Sequence, residues 1–420
     1  MWALIGTAWA QDFTVEPLYV GTDIVGETGD VAAGIALAGS SDLGRLYFAL
    51  VRETPDGLER RSTLYLGQLD CPGWTGCGAP TVLPIGSQDG SGALPSISLE
   101  EVPGGEPKIH VVHSAVYRGC AVPTRRIEEH VWDPLVGAFD DWTVRIADDC
   151  GDAQLSHTVI ADDHVWSCWT EDPPTGGFDN QVWCGTRDLR DPAAEWVTEL
   201  LADGAQTQDH NWFTVADGVR YAVVRDRDRS PDAIDLHADG AGGTLGDGSP
   251  VQDNDFPSIA RAPDGSFHAV WVEARRRISY AKCEARDCTD PANWIPQPRP
   301  VRIMSTGPVD HPEIVIAENG RMFVFWSEDH DPAATDQRRT HMKSKCRTEA
   351  MFSPATDPGE VVSDIGDTPI DQTLLLGRPH AWIDEGTDTL HLVYLEKDHP
   401  GRNPEHGDAL WARRPVEPCP

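Results

Sequence analysis

The chain has 420 residues, with 39 glycines, 33 prolines and 15 tryptophans, and its formal net charge is −34 at pH 7. That charge excludes a nucleic-acid binder, which needs a basic stripe to neutralise phosphates, and it disfavours strongly anionic polymers, which the field of the whole molecule repels. No run of about 18 apolar residues follows the N-terminal stretch, so a transmembrane segment is not expected.

In chain order, Trp2 to Ala10 is a short apolar segment that ends Ala8-Trp9-Ala10 before polar Gln11 and Asp12. This small-x-small ending predicts a signal-peptide remnant over 1–10, without its basic leader, and a mature chain of 11–420. Phe13 to Val20 then alternates like a strand. From there a core pattern returns about every 57 residues, seven times. Its copies are Tyr47 with Leu50, His110 with His113, Trp166 with Trp169 and Glu171, and Tyr221 with Val224 and Asp226. They continue as His268 with Trp271 and Glu273, Phe323 with Trp326 and Glu328, and His391 with Tyr394 and Glu396.

A strand-like stretch such as Pro257 to Ala260 precedes most copies, and another such as Arg277 to Tyr280 follows each. Short alternating strands at this period predict an all-β, seven-bladed β-propeller of four-stranded antiparallel blades in a single domain. No blade buries both its faces alone, so the seven must pack around a ring. Asp239 to Asp255, rich in Gly and Asp, stands where the outer strand of the fourth blade belongs and reads as a long loop. The last repeat supplies strands near Pro379 to Ile383, Leu390 to Leu395 and Ala409 to Arg413, and then runs out. The N-terminal strand is therefore expected to complete the last blade as its outermost strand and close the ring.

Ten cysteines pair locally without remainder: Cys71 with Cys77, Cys120 with Cys150, Cys168 with Cys184 and Cys283 with Cys288, leaving Cys346 for Cys419. Disulfides fit better than zinc, because the pairs are scattered around the ring and no Cys-x-x-Cys exists. They imply an oxidising compartment, so a secreted or periplasmic location is expected.

The His268 to Glu273 type of strand, the Ile278 to Lys282 strand after it, and turns ending in Trp (Asp290 to Trp294, Asp191 to Trp196, Asp141-Trp142) carry a resemblance. The chain resembles the sialidase-like, or BNR-repeat, propellers. The resemblance implies the propeller fold. It does not extend to sialidase activity, because neither the family's Arg-Ile-Pro nor a matching arginine triad is present, and sialidases of this kind have six blades.

The repeat register predicts where chemistry sits. Inner strands start at Ser96, His157, Trp212, Ser258, Glu313 and His380, and two residues earlier come His210, Phe256, His311 and Arg378. The second strands end at Glu171, Asp226, Glu273, Glu328 and Glu396. All of these should converge on one mouth of the central channel, beside long loops carrying His330 and His399. The recurrent glutamates have an alternative role as structural acceptors between blades. The histidines break the repeat, and non-repeated polar residues on a repeated scaffold are where function is grafted.

These residues point to a glycan-directed propeller acting on an extracellular polysaccharide. A glycosidase would draw on carboxylates such as Glu313 with Glu328 or Glu396. A lyase would use His311 or His210 as base, with Arg378 neutralising a uronate. Substrate contacts would come from His157, Trp212, His380, Glu171, Glu273, His330 and His399. A non-catalytic lectin or adhesion module is the alternative. A divalent metal in the channel, either calcium or a transition ion held by His157, His210, His311 and His380, is another.

Overall fold

The computed structural model describes residues 14–19, 31–56, 59–74, 77–89, 95–117, 119, 124–145, 152–172, 181–203, 211–226, 232–238, 241–246, 254–296, 300–302, 308–329, 338–353, 360–362, 379–396 and 408–419. Their strands form seven sheets of four antiparallel strands each. Blade one spans 31–89, blade two 96–145, blade three 152–203, blade four 211–246, blade five 254–296 and blade six 309–361. Blade seven takes its three inner strands from 380–415 and its outer strand from Thr14–Tyr19. In that sheet Thr14 lies opposite Arg413 and Glu16 opposite Trp411, and Arg413 is ion-paired to Glu16 at 2.9 Å. The two ends of the chain share one sheet, so the seventh blade does not leave Asp408–Pro415 as a bare edge. Among the described residues the helical elements are single 3-10 turns, Pro72–Trp74 and Pro291–Asn293.

The core lies in apolar seams between neighbouring blades. Tyr221 and Leu236 of blade four meet Ile259, Phe267 and Trp271 of blade five, and Phe323 and Phe325 of blade six meet Leu392 and Tyr394 of blade seven. Trp169, Trp326 and Trp411 are wholly buried, and truncating such a ring to alanine costs about 3–5 kcal/mol. The turns ending in Trp add to these seams. Asp290 accepts a hydrogen bond from the Ala292 amide at 2.9 Å, and the Trp294 indole donates to the Cys288 carbonyl at 3.0 Å. Asp191 repeats the turn, and Trp196 there reaches Glu129 of the preceding blade at 2.9 Å.

One expectation is corrected. The Gly- and Asp-rich run over 239–255 is not a loop throughout, because Ala241–Gly246 is the outer strand of blade four, paired with Ala233–Ala238. Gly243 has a packing cause: a Cβ there would lie 2.7 Å from Pro291 Cγ in the neighbouring blade. Glycine in this strand marks a close approach between blades.

Cys71–Cys77, Cys168–Cys184, Cys283–Cys288 and Cys346–Cys419 are bonded, and no cysteine among the described residues is free. Cys120 and Cys150 lie outside the described residues. Cys346–Cys419 ties the C-terminal tail to blade six.

Candidate functional site

Six inner-strand positions share one register against the second strand. Ser96 lies opposite Val112, His157 opposite Cys168, Trp212 opposite Val223, Ser258 opposite Val270, Glu313 opposite Phe325 and His380 opposite Val393. Three of these residues perform one task. Ser96 Oγ accepts from the Thr158 amide at 3.0 Å, Ser258 Oγ from Ile314 at 3.3 Å and Glu313 Oε1 from Ala381 at 3.1 Å. In each case the amide belongs to the next blade's inner strand, one residue beyond the matching position. Buried Glu313 therefore stitches blade six to blade seven, as the serines do elsewhere.

Just before this register the strands bulge. The ladder shifts between Leu155 and His157, between Asp255 and Ser258, and between Asp310 and Glu313. Phe256 and His311 sit in the left-handed region, at φ 46° and 49°, which non-glycine residues rarely adopt. Simple alternation of side chains does not cross such a bulge. His311 is buried with its ring 4.1 Å from that of Phe256.

The inner strands of blades three, four and seven bring aromatic side chains together. His157 of blade three stacks on Trp212 of blade four, with centroids 3.9 Å apart and planes 14° from parallel. His380 of blade seven lies 6.1 Å from His157 and 6.3 Å from Trp212. Both histidines are half-buried, whereas Trp212 is only 5 % exposed and belongs to the seam between blades four and five. Trp212 thus backs and orients His157. Nonadjacent blades meet only across the central channel, so these two imidazoles line it.

The repeated glutamates are held differently. Glu328 takes a two-pronged ion pair from Arg302, at 2.7 and 3.0 Å, and the Trp326 indole at 2.9 Å. Glu171 does the same with Arg145, at 2.7 and 3.3 Å, and with Trp169 at 2.9 Å. Each arginine comes from the end of the preceding blade, and Arg145 also covers the Trp183 ring at 3.7 Å. Glu273 accepts from Ser279 Oγ at 2.5 Å and faces Arg277 at 3.5 Å. The backbone of Glu396 closes a strand of blade seven. Its side chain, and His210, His330, Arg378 and His399, lie outside the described residues.

Two clusters escaped the sequence reading. On the opposite face, a cavity of about 340 Å³ between blades five and six is lined by Asp264, His268, Glu318, Met322 and Arg347. Ser266 Oγ donates to Asp264 at 2.6 Å, and His268 bridges Ser266 at 2.9 Å and the Tyr280 hydroxyl at 2.7 Å. Burial pulls His268 down to about 4, with Lys345 and Lys282 acting in the same direction. The second cluster is in blade two, where His113, Glu128 and His130 bring one ligand atom each within 4.8 Å of one another. The signal was present in the sequence: His113 stands where blades three, five and six carry Trp169, Trp271 and Trp326. Of the described histidines expected at the channel, His157, His311 and His380, none belongs to a comparable group.

No protein-family model matches the chain, and no curated protein matches it. Solved structures of similar outline include an α-L-arabinanase from Penicillium chrysogenum complexed with arabinobiose, at 10 % identity and TM-score 0.49, covering 97 % of this chain and 99 % of that one. An α-L-arabinofuranosidase from Fusarium graminearum is 7 % identical with TM-score 0.44, covering 91 % and 93 %. A Trypanosoma rangeli sialidase in complex with sialic acid is 8 % identical with TM-score 0.44, covering 79 % and 55 %. Likenesses this distant transfer no residue and no activity. The chain is a seven-bladed propeller, with one imidazole from blade three and one from blade seven facing the channel.

Proposed function

We propose that this protein is an exported, glycan-cleaving propeller that works on a uronate-bearing polysaccharide, with channel histidines moving the protons. The observation that carries the reading is the approach of His157 and His380 to 6.1 Å from opposite sides of the ring. A glycosidase needs two carboxylates available to the sugar. Glu171 and Glu328 are instead each committed to an arginine and a tryptophan, and Glu313 to the backbone of blade seven. An imidazole can take or give a proton near neutral pH. On a uronate the base removes the C5 proton, the C4–C5 double bond forms as the C4–O bond breaks, and a second group protonates the leaving oxygen. His157 and His380 supply these two roles, with His311 and His210 nearby in the register and Arg378 the partner for the uronate carboxylate. The molecule's overall negative field is screened beyond about 8–10 Å at physiological salt, so a short-range arginine contact is what admits an anionic sugar.

Trp212 is nearly buried, which favours an enclosed site over the open aromatic ledge of a lectin. Four disulfides support export to an oxidising compartment. No helix among the described residues is long and apolar enough to cross a membrane.

The test is a panel of uronate and neutral polysaccharides, read for new reducing ends and for the ultraviolet absorbance of unsaturated uronides. Both signals should rise together on a uronate polymer. His380→Ala should lower kcat/KM by about 10²–10⁴ while melting stays within a few degrees. Reducing ends without ultraviolet absorbance would replace the proposal with hydrolysis by carboxylates, and binding without product would replace it with a lectin.

A further inference from the structure

We propose that His113, Glu128 and His130 form a zinc site on the face of blade two that looks towards blade one. His113 lies on the second strand of that blade, and Glu128 and His130 on the third. Glu128 is opposite His113, and His130 is two residues further on the same face. The His113 and His130 Nε2 atoms are 3.0 Å apart, and Glu128 Oε2 is 3.8 Å from each. A triangle with those sides has its centre about 2.1 Å from every corner, the length of a zinc–nitrogen or zinc–oxygen bond. The three side chains thus surround a zinc-sized point without any of them moving.

The hydrogen bonds behind the triangle set the ligand nitrogens. His130 Nδ1 bonds Asp141 Oδ1 at 2.6 Å. The carboxylate holds the ring proton on Nδ1 and leaves the Nε2 lone pair facing inward, as in the carboxylate–histidine–zinc arrangement. His113 is also hydrogen-bonded to the Ser114 backbone, and its Nε2 faces His130. Arg126 pairs with Glu128 Oε1, so Oε2 is the oxygen that faces the histidines.

The donor set selects the metal. Two imidazoles and one carboxylate suit zinc, whereas calcium requires six to eight oxygens. Three protein ligands leave a fourth position for water, and the partial exposure of Glu128 and His130 gives that position access to solvent. The site also departs from the repeat. At the position of His113, blades three, five and six carry Trp169, Trp271 and Trp326, and directly across the ladder, where blade two has Glu128, blades three and five have Trp183 and Ser279. A buried histidine in place of a core tryptophan gives up apolar contact. A bound metal accounts for the exchange. The seam below stays apolar, with Ile109, Val111 and Trp132 packed on blade one.

The test uses the full chain, stripped with chelator and titrated with zinc ion alone by calorimetry, with cobalt(II) as a spectroscopic substitute. Wild type should bind one zinc per chain, and cobalt should give the intense visible bands of a tetrahedral site. Zinc-edge X-ray absorption should count two imidazoles. Glu128→Gln and His130→Gln should each weaken binding at least a hundredfold. Asp141→Asn, at a largely exposed position, should weaken it about 10–100-fold by freeing the His130 tautomer. His164→Gln, at the start of a strand of blade three, should leave binding unchanged. Failure of wild type to bind a stoichiometric zinc overturns the site. So does binding that survives both Glu128→Gln and His130→Gln, or an absorption spectrum lacking two imidazoles.

Discussion

Replacing Glu328 by Gln separates a structural role from a chemical one. The Arg302 and Glu328 side chains are 7 % and 3 % exposed. Glutamine keeps the shape but removes the charge, which strands a buried guanidinium and leaves one carbonyl oxygen to serve both Arg302 and the Trp326 indole. Breaking a buried pair in this way costs about 3–5 kcal/mol. The loss should appear as a lower guanidinium midpoint and melting temperature, measured with the disulfides intact. Replacing both partners together, as Arg302→Met with Glu328→Leu, removes the stranded charge and should recover most of that loss. The reasoning is refuted if Glu328→Gln melts like the wild type yet loses turnover, because Glu328 would then be a reacting group.

Other perturbations test neighbouring parts of the account. Deleting residues 11–20 removes the strand beside Asp408–Pro415 and the Glu16–Arg413 pair, so melting should fall by many degrees, whereas an unchanged melt would mean the seventh blade is complete without it. Labelling denatured but unreduced protein with a thiol reagent should give no signal, since four pairs are bonded and Cys120 and Cys150 remain for each other. Burial pulls His268 to about 4 and His391 to about 3 in the folded chain. The unfolded rings, near 6.5, bind protons that the folded ones refuse, so stability present above about pH 6.5 should be lost as pH falls towards 4. Replacing His391 by Asn should flatten that loss in urea titrations; an unaltered pH slope would show that His391 does not contribute to it.

Much of the architecture was legible because burial enforces period. The spacing from His268 to Phe323 to His391 locates second strands, and the six inner-strand positions from Ser96 to His380 do share one register. Two physical effects hid the rest. Glycine in Ala241–Gly246 reads as a turn, yet it marks the approach of Pro291 from the next blade. The bulges before Ser258 and Glu313 interrupt the alternation from which the direction of His311 was inferred. The glutamates after tryptophan recur because each anchors an arginine or hydroxyl nearby, a pairing that no local pattern reveals since Arg302 lies 26 residues from Glu328. His113 was visible only as a weak copy of the repeat, and what mattered was the residue type at the tryptophan position.

The central claim is that His157 and His380 meet substrate in the channel. Their imidazole nitrogens can be followed in long-range proton–nitrogen NMR spectra while an oligo-uronide is titrated in. The account predicts saturable shifts at His157 and His380 with His164 unmoved. Shifts confined to other histidines, or none with any oligomer that the protein cleaves, would contradict it.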